Sequence, residues 1–321
     1  MRRGEFDLIA KLFAPLTFDD DRALQLMDDA AVIPQKPGVD TVVSTDTLVA
    51  GIHFLTTEPA GVIARRLLRV NLSDLAAMGA ASFAYFLNLT LPAEIDDHWL
   101  EEFAAGLHAD QKKFGLNLLG GDTTRTLGPL TLSMTIFGEV PTGRAIRRDN
   151  AQPGDLVFVS GTIGDAGLGL RRLRAGEGGD DLLVRRYQIP EPRVALGMLL
   201  RDIATAMADV SDGLLADLGH ICTASAARAT LKLAAIPVSD AARAVIGDNE
   251  EDSLALLTSG DDYELVFTAP PERASAVQAV ADETATPVCE IGQLRVGAPI
   301  VTVRNRDGYD IIPETGGYRH F

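Results

Sequence analysis

Between Ser82 and Leu91 every second residue is large and apolar: Phe83, Tyr85, Leu87, Leu89 and Leu91. That period predicts a strand with one buried face, and Pro92 ends it. Leu130 to Val140 repeats the pattern, with Leu130, Leu132, Met134 and Ile136 on one side and Thr131, Ser133 and Thr135 on the other. The β-branched run Thr41 to Thr47, the segment Asp28 to Ile33 and the run Leu116 to Leu119 predict three further strands. Elsewhere the period lengthens to 3.6. Leu67, Leu68, Leu72, Leu75, Ala76 and Met78 predict a helix closed at Gly79, a residue suited to the left-handed turn past a helix end. Trp99, Leu100, Phe103, Leu107 and Phe114 predict a second helix over 96–114, stopped by Gly115. A short helix is predicted from Gly4 to Phe13.

Polar and turn residues from Arg148 to Asp155 interrupt this pattern, so the boundary is set between a domain over 1–148 and another over 149–321. The second half restarts with a strand at Leu156–Val159, and the glycine-rich turn 160–169 leads into a helix. A loop at 176–181, a helix over 192–203, a strand at 206–210 and a helix from Gly213 to about Ser225 follow. Strands are expected near 230–233, 264–267 and 288–291. Strands separated by helices make the fold class α/β or α+β.

Composition narrows the function more than the fold. The 321 residues suffice for two domains, and 46% hydrophobic with 23% charged is ordinary for a globular chain. No apolar run approaches the roughly 20 residues that span a bilayer. The start, Met-Arg-Arg-Gly-Glu-Phe, lacks the apolar core of a signal peptide. Two cysteines, Cys222 and Cys289, lie among apolar residues and make no disulfide framework, which fits a reducing cytoplasm. A formal charge of −16 argues against a nucleic-acid partner, but not against a small phosphorylated ligand held through metal ions.

The acids are placed unusually. Asp74 shares a face of a mostly apolar helix with Asn71, three residues before it. Asp29, Asp46, Asp122, Asp209, Asp212 and Asp261 sit at strand ends or glycine turns. Carboxylates gathered together repel unless cations separate them, and Mg²⁺ is the cation suited to oxygen ligands and phosphates. Each motif has a plainer use as well. Gly120-Gly121-Asp122-Thr123-Thr124 brings backbone close to a ligand or caps a helix, Asp212 is a ligand or an N-cap, and His53 is a ligand or a hydrogen-bonded structural residue. The turn at 160–169 holds phosphate on its N–H groups or simply packs tightly. Elbow, Cys/His and His-Glu-x-x-His nucleophile or metal motifs do not occur.

Taken in order, Gly4-Glu5-Phe6, Asp28 to Ala31, Ser44 to Val49 with His53-Phe54, Asn71 to Gly79, Gly120 to Thr124, Asp209 to Leu214, Asp262 to Leu265 and Gly317 to Phe321 resemble the bacterial thiamine-monophosphate kinase family. The resemblance implies a two-domain fold of the aminoimidazole-ribonucleotide synthetase type, whose N-terminal domain forms a β-barrel across a homodimer. It implies transfer of phosphate from ATP to thiamine monophosphate with several Mg²⁺ ions. It assigns Asp29, Ser44, Thr45, Asp46, Asp74, Asp122, Asp209 and Asp212 to metal, and Gly121, Asp122, Arg148 and Ser211 to ATP. His53, Asp261 and Tyr318 are assigned to the thiamine substrate, the aromatic ring against its cationic thiazolium. Asp261 stands where the family usually has Glu. A phosphate monoester is largely deprotonated at neutral pH, so direct in-line transfer without a general base or phosphoenzyme is expected. Two readings compete: another synthetase of the superfamily, and a non-catalytic Mg-nucleotide sensor. A selenophosphate synthetase would be expected to carry an early reactive Cys or selenocysteine, and the first Cys here is Cys222.

Overall fold

A computed structural model describes residues 5–27, 30–179, 181–312 and 317–318. The chain divides into two compact units, residues 1–75 with 81–143 and residues 76–80 with 144–321.

In the first unit, α1 (Glu5–Leu8) runs on through a π-helical turn, Ile9–Phe13. Then come β1 (Val39–Val49), α2 (Ala60–Ala77), β2 (Ala81–Leu91), α3 (Asp97–Phe114), β3 (Asn117–Arg125) and β4 (Thr131–Pro141). The four strands form an open sheet in the order β1-β4-β2-β3. β4 is antiparallel to both neighbours, and β2 and β3 are parallel across the α3 crossover. Alternation works as expected: Tyr85, Leu87, Leu89, Leu132, Met134 and Ile136 are all buried. Asp96 caps α3 by accepting the Trp99 N–H at 2.9 Å, and Gly115 closes it in the left-handed region.

Two expectations change. Ala30 to Ile33 is not a strand. Val32 donates one backbone bond to Arg22 and is otherwise exposed, so the apolar pair found no sheet edge. The strand at Leu116–Leu119 also does not stop at the glycines; β3 continues through them to Arg125, which removes the helix-cap reading of Asp122.

The second unit contains β5 (Leu156–Ser160), α4 (Asp165–Arg174), α5 (Leu182–Gln188), α6 (Val194–Leu199), β6 (Ala206–Asp209), α7 (Leu214–Ala224) and β7 (Arg228–Lys232). It continues with α8 (Asp240–Ile246), α9 (Glu250–Leu256), β8 (Leu265–Ala269), α10 (Ala274–Glu283), β9 (Val288–Arg295), β10 (Val301–Arg304) and β11 (Asp310–Ile311). Its sheet runs β11-β10-β7-β9-β5-β8-β6. Both faces are covered, so its central strands read as continuous apolar runs. Val157, Val159 and Ala208 pack with Leu218 and Ile221 of α7 on one side. Phe158, Met207 and Phe267 pack with Leu196 and Val277 on the other. Among the described residues no helix is long and apolar enough to cross a membrane.

The helix carrying Asp74 is seated by a close crossing. A Cβ on Gly106 of α3 would lie 2.4 Å from the Gly61 carbonyl oxygen of α2. Gly106→Val should therefore force the two helices apart and lower the stability of the first unit by about 1–3 kcal/mol, read as a fall in urea midpoint. An unchanged midpoint would show that the crossing is slack.

Candidate functional site

In the first unit, alternation along β1 turns Ser44 and Asp46 to the same side, and α2 brings Asp74 to meet them. Ser44 Oγ donates to Asp74 Oδ2 at 2.5 Å. Burial, and then the charge of Asp74, push the Asp46 carboxyl up to about 7. Two carboxylates and a hydroxyl thus converge. These are hard oxygen donors, and their mutual repulsion is what a divalent cation relieves, so the residues present fit Mg²⁺.

Thr45 faces the other way, its hydroxyl donating to the Met134 carbonyl at 3.0 Å. Asp122 is exposed on β3 and caps the N–H of Thr123 at 2.8 Å. In register it stands opposite Asn88, whereas the line through Asp46 passes Met134, Leu87 and Gly121. It is therefore the Gly121 backbone, not the Asp122 side chain, that shares a line with Asp46. Only glycine fits there: φ is +155° and a Cβ would lie 1.8 Å from the Leu87 oxygen. Asp122 instead borders a cavity of about 540 Å³ on which Phe13, Leu26 and Phe86 present apolar surface and Asn88 and Thr123 polar groups. Asp29 lies outside the described residues. His53 Nδ1 accepts the Val49 N–H at 2.9 Å; this fixes the ring and, in the neutral form, puts its proton on Nε2.

In the second unit the structure draws Ser211, Asp212, Asp261 and Tyr318 together. The Asp261 N–H donates to the Ser211 carbonyl at 2.8 Å, and the Tyr318 N–H to the Asp212 carbonyl at 2.9 Å. Asp209 is buried at the end of β6. Arg148 is exposed, its carbonyl accepts the Ser225 hydroxyl at 2.7 Å, and its charge acts on Asp217. Asp212 is not the N-cap of α7; Gly213 holds that position without a side-chain bond.

Sequence reasoning missed Asp217. Its carboxylate accepts the N–H groups of both Ser211 and Asp212, and burial pushes it up to about 7 against those two donors. One ligand atom each from Asp212, Asp217 and His220 falls within 4.8 Å of the others. The signal was an acid among Leu214, Leu215, Leu218 and Ile221, on the apolar stripe of its helix.

The glycine turn after β5 is decided by Asp262. Its Oδ2 accepts the Gly164 N–H at 2.7 Å and its Oδ1 the Ala166 N–H at 3.2 Å. A carboxylate of the chain occupies the groups that a phosphate would need, so this turn is a packing device. Around it, Glu264 binds Arg186 and Arg193 and accepts the Ser160 hydroxyl. Burial alone would raise Glu264, but the two guanidiniums hold it low. Asp262 goes the other way, pushed by burial to about 8.

Residues 27–140 match the family described as AIR synthase related protein, N-terminal domain, and residues 152–303 the corresponding C-terminal domain. The thiamine-monophosphate kinase of Caulobacter vibrioides is 45% identical over 321 residues, covering 98% of this chain and 90% of the relative. The chain belongs to the thiamine-monophosphate kinase family. The Escherichia coli K12 member is 41% identical over 332 residues, 100% of this chain and 99% of the relative. The crystal structure of the Stenotrophomonas maltophilia K279a member superposes with a TM-score of 0.86 at 41% identity, over 97% of this chain and 99% of that one. AaThiL complexed with AMPPCP and TMP superposes with a TM-score of 0.79 at 28% identity, over 100% and 99%.

Two outcomes follow from these titrations. Asp262 folds with a value above the roughly 3.9 of an unfolded Asp, so between about pH 4 and 8 the folded state binds the extra proton. Its contribution to stability is full below that window and lost as pH rises through about 8. Urea midpoints at pH 5, 7 and 9 should fall across this range, and Asp262→Asn should flatten the slope. For Asp46, Mg²⁺ binding should release a proton below about pH 7 and none above about pH 8. Calorimetry in two buffers of different ionisation enthalpy measures this, and Asp46→Asn should abolish the release.

Proposed function

We propose that this protein transfers the γ-phosphoryl group of ATP to thiamine monophosphate, giving thiamine diphosphate, the last step in making that cofactor. The observation that carries the reading is the Asp46–Asp74 pair with its Ser44 hydroxyl, in a chain of this family. An AaThiL structure holding both AMPPCP and TMP supports the substrate pair.

In the first unit Ser44, Asp46 and Asp74, with Asp29, would hold Mg²⁺, and Asp122 would do so apart from them on the cavity side. The Thr45 hydroxyl is engaged by Met134, and in the second unit Asp209 and Asp212 would offer further carboxylates. When bound, the ions supply the charge neutralisation that lets two polyanions approach. The Gly121 backbone, Arg148 and Ser211 serve the nucleotide. His53, held by Val49, serves the substrate phosphate, and Asp261 and Tyr318 serve the thiamine end. The acceptor oxygen is already ionised at neutral pH, so no side chain needs to take its proton. Transfer is direct, with no phosphoenzyme.

The functional form is a cytoplasmic homodimer whose four-stranded sheets combine into a shared barrel. Support comes from the exposed face of β1, where Val43 stands among Thr41, Thr45 and Thr47 in an otherwise open sheet.

Incubation with thiamine monophosphate, ATP and Mg²⁺ should yield thiamine diphosphate. Asp74→Asn should lower kcat about 100-fold or more while leaving the fold intact, because it removes charge at the point of phosphoryl transfer. ATP binding without product under varied metal and pH conditions would instead mark a sensor.

A further inference from the structure

The turn carrying Ser211 and Asp212 is immobilised to an unusual degree. Both of its carbonyls are taken, by the N–H groups of Asp261 and Tyr318. Both of its own N–H groups are taken too, at 3.0 and 3.1 Å, and by a single oxygen, Asp217 Oδ2. All four backbone polar groups of the two residues are therefore engaged, and their side chains are left to meet ligands. Two of the four bonds come from backbone partners and two from one side chain, and that side chain is the part of the clamp that substitution can reach.

From this geometry we infer that Asp217 is a positioning residue: it sets Ser211 and Asp212, and through them the register of Asp261 and Tyr318. Asp217 is 2% exposed and sits one turn inside α7, so it reaches back to the loop rather than outward to ligand. The neighbouring loop leaves no slack. A Cβ on Gly260 would lie 2.4 Å from the Ser211 oxygen, and Asp261 and Tyr263 both have positive φ, at 71° and 50°. Strained positions of this kind persist only where surrounding contacts over-determine them. One carboxylate thus joins the strand end that presents the nucleotide and metal ligands to the turn that presents the substrate acid. The inference rests on the proposed assignments of Ser211 and Asp212.

What the clamp requires is an acceptor oxygen at that position, not a charge. Asp217→Asn keeps such an oxygen, Asp217→Glu moves it by one methylene, and Asp217→Ala deletes it. Calorimetric Kd values for ATP in the presence of Mg²⁺, and half-saturation by Mg²⁺ in the phosphoryl-transfer assay, should rise about tenfold or more in the Ala and Glu variants, as for other groups that orient ligating residues. The Asn variant should stay within about threefold of the wild type. Should the Ala variant fail to fold, the Asn and Glu pair decides alone. A Glu variant that matches the wild type beside an impaired Asn variant would mean that charge matters rather than placement, and would overturn the inference. So would variants that lose Tm yet keep wild-type Kd and Mg²⁺ half-saturation, which is the signature of a merely structural residue. Wild-type protein that neither binds ATP with Mg²⁺ nor makes product would overturn the functional reading, and this inference with it. A wild type that does both beside unaffected Asp217 variants would overturn the inference alone.

Discussion

A carboxylate withdrawn from water must be met by something positive or take up a proton. That constraint organises both units of this chain. Asp110 is met by Arg69 at 2.6 Å and by Arg65 at 3.2 Å. Glu264 is met by two arginines and a serine. Asp217 is met by two peptide N–H groups, and Asp262 by two more. Around α4 the sum falls short: Asp165, Asp262 and Glu264 face Arg186 and Arg193, so one acid of the three is in surplus. Asp262, fully buried and pushed by that burial to about 8, is the acid that retains a proton at neutral pH.

Asp46 and Asp74 belong to a different class. The Ser44 hydroxyl brings Asp74 one hydrogen and no charge, and the Asp46 carboxyl is pushed up by burial and then by the charge of Asp74. Elsewhere buried acids meet arginines or peptide N–H groups; here, in the proposed function, a divalent cation would share the pair. Which partner a buried acid will meet is invisible in spacing. Asp212 and Asp217 make the point within five residues. Asp212, beside a glycine at a helix start, could be a ligand or a cap by sequence, yet Gly213 takes the cap without a side-chain bond and the N–H groups of Ser211 and Asp212 go to Asp217 inside the helix.

The elements themselves were legible wherever burial fell on one face. Ser82–Leu91, Leu130–Val140 and Asp96–Phe114 came out to within a residue or so because period and burial are the same fact seen twice. Ala30–Ile33 misled because an apolar pair says nothing about whether a sheet edge is free to receive it. Helices α5, α8, α9 and α10 were not foreseen; the first three are only seven residues each and depend on tertiary packing more than on their own pattern. For the site, an acid on the apolar face of α2 pointed to Asp74 and a strand-end acid to Asp46, whereas Ser44 and Thr45 were assigned by the resemblance alone. Asp122 was placed by motif alone, and its strand register, set by how β2 and β3 align, carries it to the cavity side of the sheet.

The glycine turn after β5 shows how strongly occupancy constrains an interpretation. A strand, a glycine-rich turn and a helix start supply the geometry that binds phosphate in many proteins. Here Gly164 and Ala166 donate to Asp262, which is fully buried. A phosphate could enter only by displacing a carboxylate whose loop is also tied down through Glu264 and its two arginines. The Gly121 backbone, assigned to the nucleotide in the proposed function, is a different case. There φ of +155° and contact with Leu87 admit no side chain. In the proposed function, an acidic protein would handle an anionic substrate through the cations that accompany it, held by acids such as Asp46 and Asp74.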